Sequence, residues 1–255
     1  MLLPKLRTPM VLVHGLLGYG EVRLVGLKLY DYFPGVSQAL REAGNRVLVP
    51  SLSPTAGIAE RAAQLKEFVD RESPQEPVHV IAHSMGGLDA RFMISRLDMG
   101  GRVLSLTTLG TPHRGTTFAD WGVARLGRIV RPILEWLYIP TQAFLDLTTS
   151  HCRQFNEQVP DVPDVRYYSV AGRHEGGLHT PEWYLSYSHV LKHEGVNDGI
   201  VSAASAKWGQ SFEMWEGDHF SLVNWPNPFA ANRGWNRNPL ERYGPLVKRL
   251  ADEGF

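Results

Sequence analysis

At its centre the chain reads Val78-His79-Val80-Ile81-Ala82-His83-Ser84-Met85-Gly86-Gly87. The apolar half of this stretch predicts a buried strand, and Leu88 to Leu97 continues it as a helix. A tight strand-to-helix turn brings the positions two before and two after the serine close together, so Ala82 and Gly86 must be small. The sequence therefore predicts that Ser84 stands on a strained turn at the end of a central strand.

Strands and helices alternate on both sides of this turn. Further strands are predicted where short apolar runs end near glycine or proline, at Met10–Val13, Arg46–Val49, Val103–Leu109, Val165–Ala171 and Phe212–Trp215. Helices are predicted at Val36–Ala43, Gly57–Glu72, Leu88–Leu97 and Leu240–Ala251. This order favours an α/β fold in which flanking helices bury about six mainly parallel strands. Residues 1–255 are expected to form a single domain.

Residues 116–149 depart from the alternation. Apolar side chains recur there at spacings of three and four, while Arg125, Arg128 and Arg131 occupy the other face. The segment lies between two predicted core strands. It is therefore predicted to form amphipathic helices inserted outside the sheet.

Bulk composition excludes several classes of protein. Lys plus Arg and Asp plus Glu number 26 each, so no global charge favours nucleic acid as a partner. No run of about 18 apolar residues predicts a membrane span. Cys152 is the single cysteine, so no internal disulfide can form, and it is interpreted as a packed or partly exposed thiol. The lack of a disulfide and of a signal-like N-terminus favours the cytoplasm, or secretion if a signal has been removed.

The predicted turn gives Ser84 the setting of a nucleophile. Its hydroxyl would rise above the carboxyl end of the sheet, where the N-terminus of the next helix faces the reacting carbonyl. The oxyanion hole is expected to use the backbone N–H groups of Met85 and Leu16, the latter in the loop that follows Met10–Val13. His14 in that loop is interpreted as a structural residue bonded to nearby backbone.

A general base is expected on a loop after a late strand. His219 follows the Phe212–Trp215 strand and is the last of ten histidines. His83 adjoins the serine, but neighbouring side chains in a turn diverge, so it is expected to pack behind the turn. His113 is expected to fix a loop near the pocket. His189 and His193 are interpreted as loop or surface residues.

The acid that orients the base is expected to be Asp198, in Asn197-Asp198-Gly199. A carboxylate on this glycine turn between apolar residues can be held while buried, and can then accept the imidazole N–H. Asp218 is an alternative, but it adjoins His219 and is badly placed to bond that ring. Asp161 and Asp164 precede the Val165–Ala171 strand and therefore lie at its wrong end.

Five motifs together resemble the bacterial true lipases, the family of the Pseudomonas, Bacillus and staphylococcal triacylglycerol lipases. The motifs occur in the family's order and are His14-Gly15-Leu16-Leu17-Gly18, Ala82-His83-Ser84-Met85-Gly86-Gly87, Leu109-Gly110-Thr111-Pro112-His113-Arg114-Gly115-Thr116, Asn197-Asp198-Gly199 and Asp218-His219. The resemblance implies an α/β-hydrolase fold and a serine ester hydrolase. It also implies that residues 116–149 form a mobile lid, the alternative being a fixed helical cap.

Two metal sites known in that family are not expected here. Pseudomonas-type lipases bind calcium through an aspartate two residues after the catalytic histidine, and this chain has Ser221 there. Staphylococcal-type lipases bind zinc through histidines inserted before the serine turn, and only His79 lies between the oxyanion loop and His83. No cofactor is therefore expected.

The predicted reaction is hydrolysis of a carboxylic ester through an acyl-enzyme, with Ser84, Asp198 and His219 as the catalytic residues. The apolar insertion favours acylglycerols and a lipid–water interface. A carboxylesterase, a phospholipase or a thioesterase is the nearest alternative. An alternative of another class is a non-catalytic ligand-binding protein on a hydrolase fold.

Overall fold

The secondary structure follows the predicted alternation. The computed structural model describes residues 3–18, 21–24, 27–126, 142–175, 183–225 and 238–255. Over these residues the strands are β1 (Met10–Val13), β2 (Glu21–Leu24), β3 (Leu27–Asp31), β4 (Val47–Leu48), β5 (Val78–His83), β6 (Val103–Leu109), β7 (Arg166–Arg173) and β8 (Ser211–Glu216). The helices are α1 (Val36–Glu42), α2 (Ile58–Glu72), α3 (Met85–Arg96), α4 (Thr117–Leu126), α5 (Gln142–Asp146), α6 (Thr149–Gln158), α7 (Tyr184–Glu194), α8 (Ala203–Ala206) and α9 (Leu240–Asp252).

Six of these strands form one parallel sheet in the order β4-β1-β5-β6-β7-β8. The chain leaves β1 towards one edge of the sheet and leaves β5 towards the other edge. The loops that follow these two neighbouring strands therefore diverge and open a crevice at their carboxyl ends. The register pairs Val13 of β1 with Ala82 of β5, which places the loop after Val13 beside Ser84.

Side chains of the central strands alternate between two apolar layers. In β1, Met10 and Leu12 belong to the layer that α1 and α9 cover, while Val11 and Val13 belong to the layer that α2 and α3 cover. All four are fully buried. Because both faces of the sheet are covered, the polar groups of a site can reach solvent only at its edges and ends.

The structure confirms the predicted six-stranded α/β sheet, but the strands β2 and β3 and the helices α6, α7 and α8 were not predicted. The antiparallel pair β2 and β3 forms a separate small sheet. Helix α7 carries His189 and His193, so the interpretation of a loop was wrong, whereas a surface position holds for His193. The sequence of α7 does not show the apolar stripe of an amphipathic helix, because the large apolar residues Tyr184, Leu185 and Leu191 are exposed. The single-domain organisation stays a prediction.

The insertion at 116–149 contains helices α4 and α5 and reaches the start of α6, while residues 127–141 lie outside the described residues. The start of α4 is tied to its surroundings. The backbone N–H and the hydroxyl of Thr117 both donate to Glu194 Oε1, each at 2.7 Å, and Thr116 Oγ1 donates to the Ile200 carbonyl at 2.7 Å. The lid stays a prediction. Nowhere in the described ranges is a helix long and apolar enough to cross a membrane.

Gly86 sits where α3 approaches the loop after β1 most closely. A β-carbon there would lie 2.7 Å from the His14 carbonyl oxygen and 3.1 Å from that of Val13. We expect Gly86→Ala to lower the free energy of unfolding by about 1–3 kcal/mol, because two backbone segments must separate. Gly101→Ala is the control, since a β-carbon there meets nothing within 4 Å, and its effect should stay below about 1 kcal/mol. Urea denaturation measures both, and equal values for the two variants would contradict the prediction.

Candidate active site

Ser84 occupies the turn between β5 and α3 with φ 54° and ψ −130°. This conformation is rare for a residue with a side chain and costs of order 1–3 kcal/mol. Its neighbours hold it, because the Ser84 N–H donates to the Leu109 carbonyl at 2.9 Å and Thr111 Oγ1 donates to the Ser84 carbonyl at 2.8 Å. Ser84 is 9% exposed. The predicted strained turn is therefore present.

The loop after β1 contacts this turn directly. A β-carbon on Gly15 would lie 2.8 Å from the Ser84 Cβ. Met85 is the first residue of α3, so its N–H has no partner within the helix. Within the part of the chain that the structure describes, no acceptor bonds the N–H of Leu16. Both predicted oxyanion donors therefore flank the serine with N–H groups that can bind a substrate oxygen.

Arg61 of α2 bonds the loop after β1, and this contact was not predicted from the sequence. Its guanidinium is buried and donates to the carbonyls of His14 and Ser53, each at 2.8 Å, and to Asp89 Oδ2 at 2.8 Å. Burial raises the pKa of the Asp89 carboxyl, and the Arg61 charge opposes that rise. An arginine aligned with Ile58, Ala62 and Leu65 on the apolar face of a helix was the signal for a buried ion pair.

His14 is a structural residue of this loop. The Leu52 N–H donates to its Nε2 at 2.9 Å, so the ring proton is on Nδ1, which donates to the Gly15 carbonyl at 2.9 Å. Burial is the main cause that lowers the pKa of His14 to about 4. The neutral ring thus links the loop after β1 to the loop after β4.

His219 and Asp198 meet on the other side of the serine turn. The ring Nδ1 of His219 donates to Asp198 Oδ2 at 2.7 Å, and the His219 N–H donates to the Asp198 carbonyl at 2.7 Å. Both residues are buried. His219 also lies against the serine turn, since its ring centroid is 4.5 Å from that of His83, the residue before Ser84. The bond through Nδ1 leaves Nε2 as the ring nitrogen that can act as a base.

The Asp198 carboxylate is fixed by its own turn. Its Oδ1 accepts hydrogen bonds from the N–H groups of Ile200 at 3.1 Å and Val201 at 2.8 Å. Oδ1 is thereby occupied by backbone donors, while Oδ2 faces the imidazole. The glycine turn that was predicted to hold Asp198 therefore aims Oδ2 at the imidazole.

Two glycines make room for this pair, and the sequence analysis assigned them no role. A β-carbon on Gly110, which follows β6 with φ +56°, would lie 2.9 Å from Asp198 Oδ2 and 3.1 Å from His219 Nδ1. A β-carbon on Gly172, in β7, would lie 2.6 Å from the Asp198 Cβ. Glycines at the carboxyl ends of two neighbouring core strands were the signal that a buried group packs there.

Asp218, the alternative acid, has a different task. Its carboxylate accepts the N–H of Ser221 at 2.7 Å, and Ser221 Oγ donates to the Asp218 carbonyl at 2.6 Å. The Ser221 hydroxyl, at the position where Pseudomonas-type lipases carry a calcium-binding aspartate, is thus used inside a turn and supplies no carboxylate there. In the ranges described, no group of three or more His, Cys, Asp or Glu could hold a metal ion.

His113 and Cys152 pack beside the site rather than in it. His113 Nε2 bonds Thr108 Oγ1 at 3.0 Å, and the His113 ring stacks on Trp208 with centroids 5.1 Å apart. Cys152 is buried, and its thiol donates to the carbonyls of Pro112 and Asp146. Burial raises the pKa of Cys152 to about 12, so it remains a packed thiol.

Comparison with known proteins places this fold and site in a family. The model described as "Alpha/beta hydrolase family" matches residues 10–233. The chain therefore belongs to the alpha/beta hydrolase family. Triacylglycerol lipase 2 of Saccharomyces cerevisiae is 33% identical over 88% of this chain and 74% of its own length. The triacylglycerol lipase of Pseudomonas fragi is 28% identical and covers 98% of both chains.

Solved structures agree on the fold. The mature Bacillus licheniformis lipase BlEst2 has a TM-score of 0.73 at 22% identity, covering 94% of this chain and 91% of its own. Staphylococcus hyicus lipase has a TM-score of 0.68 at 18% identity, covering 96% and 97%. The predicted resemblance to lipases and the predicted class, a carboxylic ester hydrolase, are confirmed. The Saccharomyces cerevisiae relative shows that the similarity is not confined to bacterial proteins.

Buried neutral histidines make the folded state sensitive to acid. Burial lowers the pKa of His79 from 6.5 to about 4, so between these values the unfolded chain binds a proton that the folded chain does not. Stability is then lost as the pH falls from about 6.5 towards 4, at up to about 1.4 kcal/mol per pH unit for each such group. We expect His79→Gln to reduce the slope of unfolding free energy against pH in this window. Urea titrations at several pH values measure it, and an unchanged slope would count against the prediction.

Proposed function

We propose that the chain is a lipase that hydrolyses acylglycerols with Ser84 as nucleophile, His219 as base and Asp198 as the acid that orients it. The observation that carries the proposal is the bond of 2.7 Å from His219 Nδ1 to buried Asp198 Oδ2, beside the strained turn that bears Ser84. Two relatives that match most of the chain, at 88% and 98% of its length, are triacylglycerol lipases, which supports the substrate class.

In the proposed reaction, Ser84 Oγ attacks the ester carbonyl carbon while His219 Nε2 takes its proton. The negative charge that forms on the carbonyl oxygen is stabilised by the N–H groups of Leu16 and Met85. The alcohol leaves with the proton from His219, and the acyl group stays on Ser84. Water then attacks the acyl-enzyme by the same route and releases the fatty acid. The proposed mechanism calls for no cofactor.

Each donor is held in place before substrate binds. The Arg61 guanidinium fixes the His14 carbonyl two residues before Leu16, and α3 fixes the N–H of Met85. Donors that need no rearrangement stabilise a developing charge most effectively, and removing one such donor costs about 3–4 kcal/mol of transition-state stabilisation. This rigidity supports acyl transfer rather than simple ligand binding.

The surroundings of the proposed site support an apolar acyl substrate. Leu17, the residue after the proposed donor Leu16, is 59% exposed, and Phe220, the residue after His219, is 45% exposed. Large apolar side chains that remain exposed beside a reactive group favour contact with an apolar ligand. We propose that acyl chains lie against these two residues.

Substitution of two of the proposed catalytic residues tests the mechanism. We expect Ser84→Ala to lower kcat by about a million-fold, because it removes the nucleophile, and Asp198→Asn by about ten thousand-fold, because it removes the acceptor that holds the His219 tautomer. Asp218→Asn is the matched control, since this buried carboxylate adjoins His219 but bonds the Ser221 N–H, and its kcat should stay close to the wild-type value. Stopped-flow or steady-state assays with a p-nitrophenyl ester measure all three. Activity that survives in Ser84→Ala would remove the serine mechanism.

A series of esters tests the substrate class. We expect kcat/KM to rise with acyl chain length from acetate to palmitate, and emulsified triacylglycerol to be hydrolysed, because longer chains bury more apolar surface. The Ser84→Ala variant gives the background rate for each ester. A preference for short soluble esters would replace the lipase with a carboxylesterase and leave the serine mechanism intact.

A further inference from the structure

A second histidine, His83, lies between the proposed base, His219, and the buried Tyr32. It immediately precedes Ser84 and is fully buried. Its Nε2 lies 3.0 Å from the His219 carbonyl oxygen, and its Nδ1 lies 2.9 Å from the hydroxyl of Tyr32. The ring thus connects the main chain of His219 to Tyr32, which directly follows β3.

The chemistry of the two partners determines which nitrogen carries the proton. A carbonyl oxygen can only accept, so Nε2 of His83 must be the donor to His219. A neutral imidazole has one N–H, so Nδ1 must accept, and the Tyr32 hydroxyl must be its donor. Burial lowers the pKa of His83 well below the ordinary value, which keeps the ring neutral. The His219 carbonyl therefore selects the tautomer of His83, and the Tyr32 hydroxyl stabilises that tautomer by donating to Nδ1.

His219 is held at three points, and two of them belong to Asp198. Asp198 Oδ2 accepts from the ring Nδ1, and the Asp198 carbonyl accepts from the N–H of His219. The third point is the His219 carbonyl, which accepts from His83. The two Asp198 bonds hold the ring and the N–H of His219. The bond from His83 holds the His219 carbonyl and so restrains the peptide that follows the base.

Tyr32 also touches the oxyanion loop. Its hydroxyl would lie 3.0 Å from a β-carbon on Gly15, and its ring centroid is 5.5 Å from that of His14. Its own carbonyl accepts from Trp225 Nε1 at 2.8 Å. Tyr32 therefore sits between the loop that carries the proposed donor Leu16 and the histidine that braces the base.

We infer that His83 is a positioning residue for the base, holding the His219 main chain through Nε2–H, and that Tyr32 positions His83 by donating to its Nδ1. The inference rests on the proposed function of His219. A histidine base must meet the serine within hydrogen-bond reach, and a displacement of about 1 Å can cost a hundredfold in rate. His83 and Tyr32 act by preventing that displacement and do not touch the reacting atoms.

Three variants separate the two bonds of His83. An asparagine reaches the position of Nδ1 but not that of Nε2, whereas a glutamine amide reaches the Nε2 position and can donate there. We expect His83→Asn to lower kcat by about a hundredfold with KM unchanged, and His83→Gln to restore much of that loss. Tyr32→Phe removes the donor to Nδ1 and permits the other tautomer, so it should lower kcat by less than His83→Asn does. Steady-state hydrolysis of a p-nitrophenyl ester measures each variant.

His79 provides the matched control. It lies four residues earlier on β5, is equally buried, and bonds Ser105 Oγ through Nδ1 at 2.7 Å. We expect His79→Asn to alter the thermal midpoint but not kcat. The inference would be overturned by wild-type kcat in His83→Asn, by equal kcat losses in the two asparagine variants, or by no recovery in His83→Gln.

A spectroscopic readout does not depend on turnover. The proton between His219 Nδ1 and Asp198 should give a low-field NMR signal, and we expect this signal to broaden in His83→Asn and persist in His79→Asn. If His83→Asn fails to fold, Tyr32→Phe and His83→Gln carry the same comparison. Ser84→Ala separates the two failures: activity that survives in it defeats the proposed function, whereas an unchanged NMR signal in His83→Asn defeats only the positioning role.

Discussion

The strained backbone of Ser84 is the constraint on which the other contacts of the site depend. Its positive φ costs of order 1–3 kcal/mol, and the conformation persists because bonds from both sides hold the peptide. The N–H bonds β6 and the carbonyl accepts from Thr111. Gly15 packs closely against the Ser84 side chain, and Gly86 packs closely against the backbone of Val13 and His14. Glycine is therefore required at positions 15 and 86, because the packing around this turn leaves no volume for a β-carbon on either residue.

Behind the turn, the protein buries polar groups that would be costly without partners. A buried guanidinium is tolerated only when it is paired and hydrogen-bonded, and Arg61 meets both conditions through Asp89 and the carbonyls of His14 and Ser53. The bond to His14 ends on the loop that carries the proposed oxyanion donor. The hydrogen bonds that make the burial of Arg61 tolerable thus also make this loop rigid. A rigid loop favours catalysis, since fixed dipoles need no reorganisation as charge develops.

The strand order explains why distant residues meet. Loops after β1 and β5 diverge at the switch point and frame Ser84, while the loops after β7 and β8 bring Asp198 and His219 to the same end of the sheet. Gly110 and Gly172 leave the space in which the carboxylate and imidazole pack. His83 joins the two halves, since it adjoins the serine in sequence and bonds the main chain of His219.

The sequence by itself determined the six-stranded parallel sheet, the strained turn at Ser84 and the candidate residues, because strand alternation and small residues around a serine are local signals. It favoured Asp198 over Asp218 as the acid, but it missed α7 and did not find Arg61 or the role of Gly110. Only the tertiary structure joined His219 to Asp198, turned Asp218 towards the Ser221 N–H and aligned Tyr32 with His83. These choices depend on which side chains converge after the sheet is assembled, and no spacing along the chain encodes that convergence.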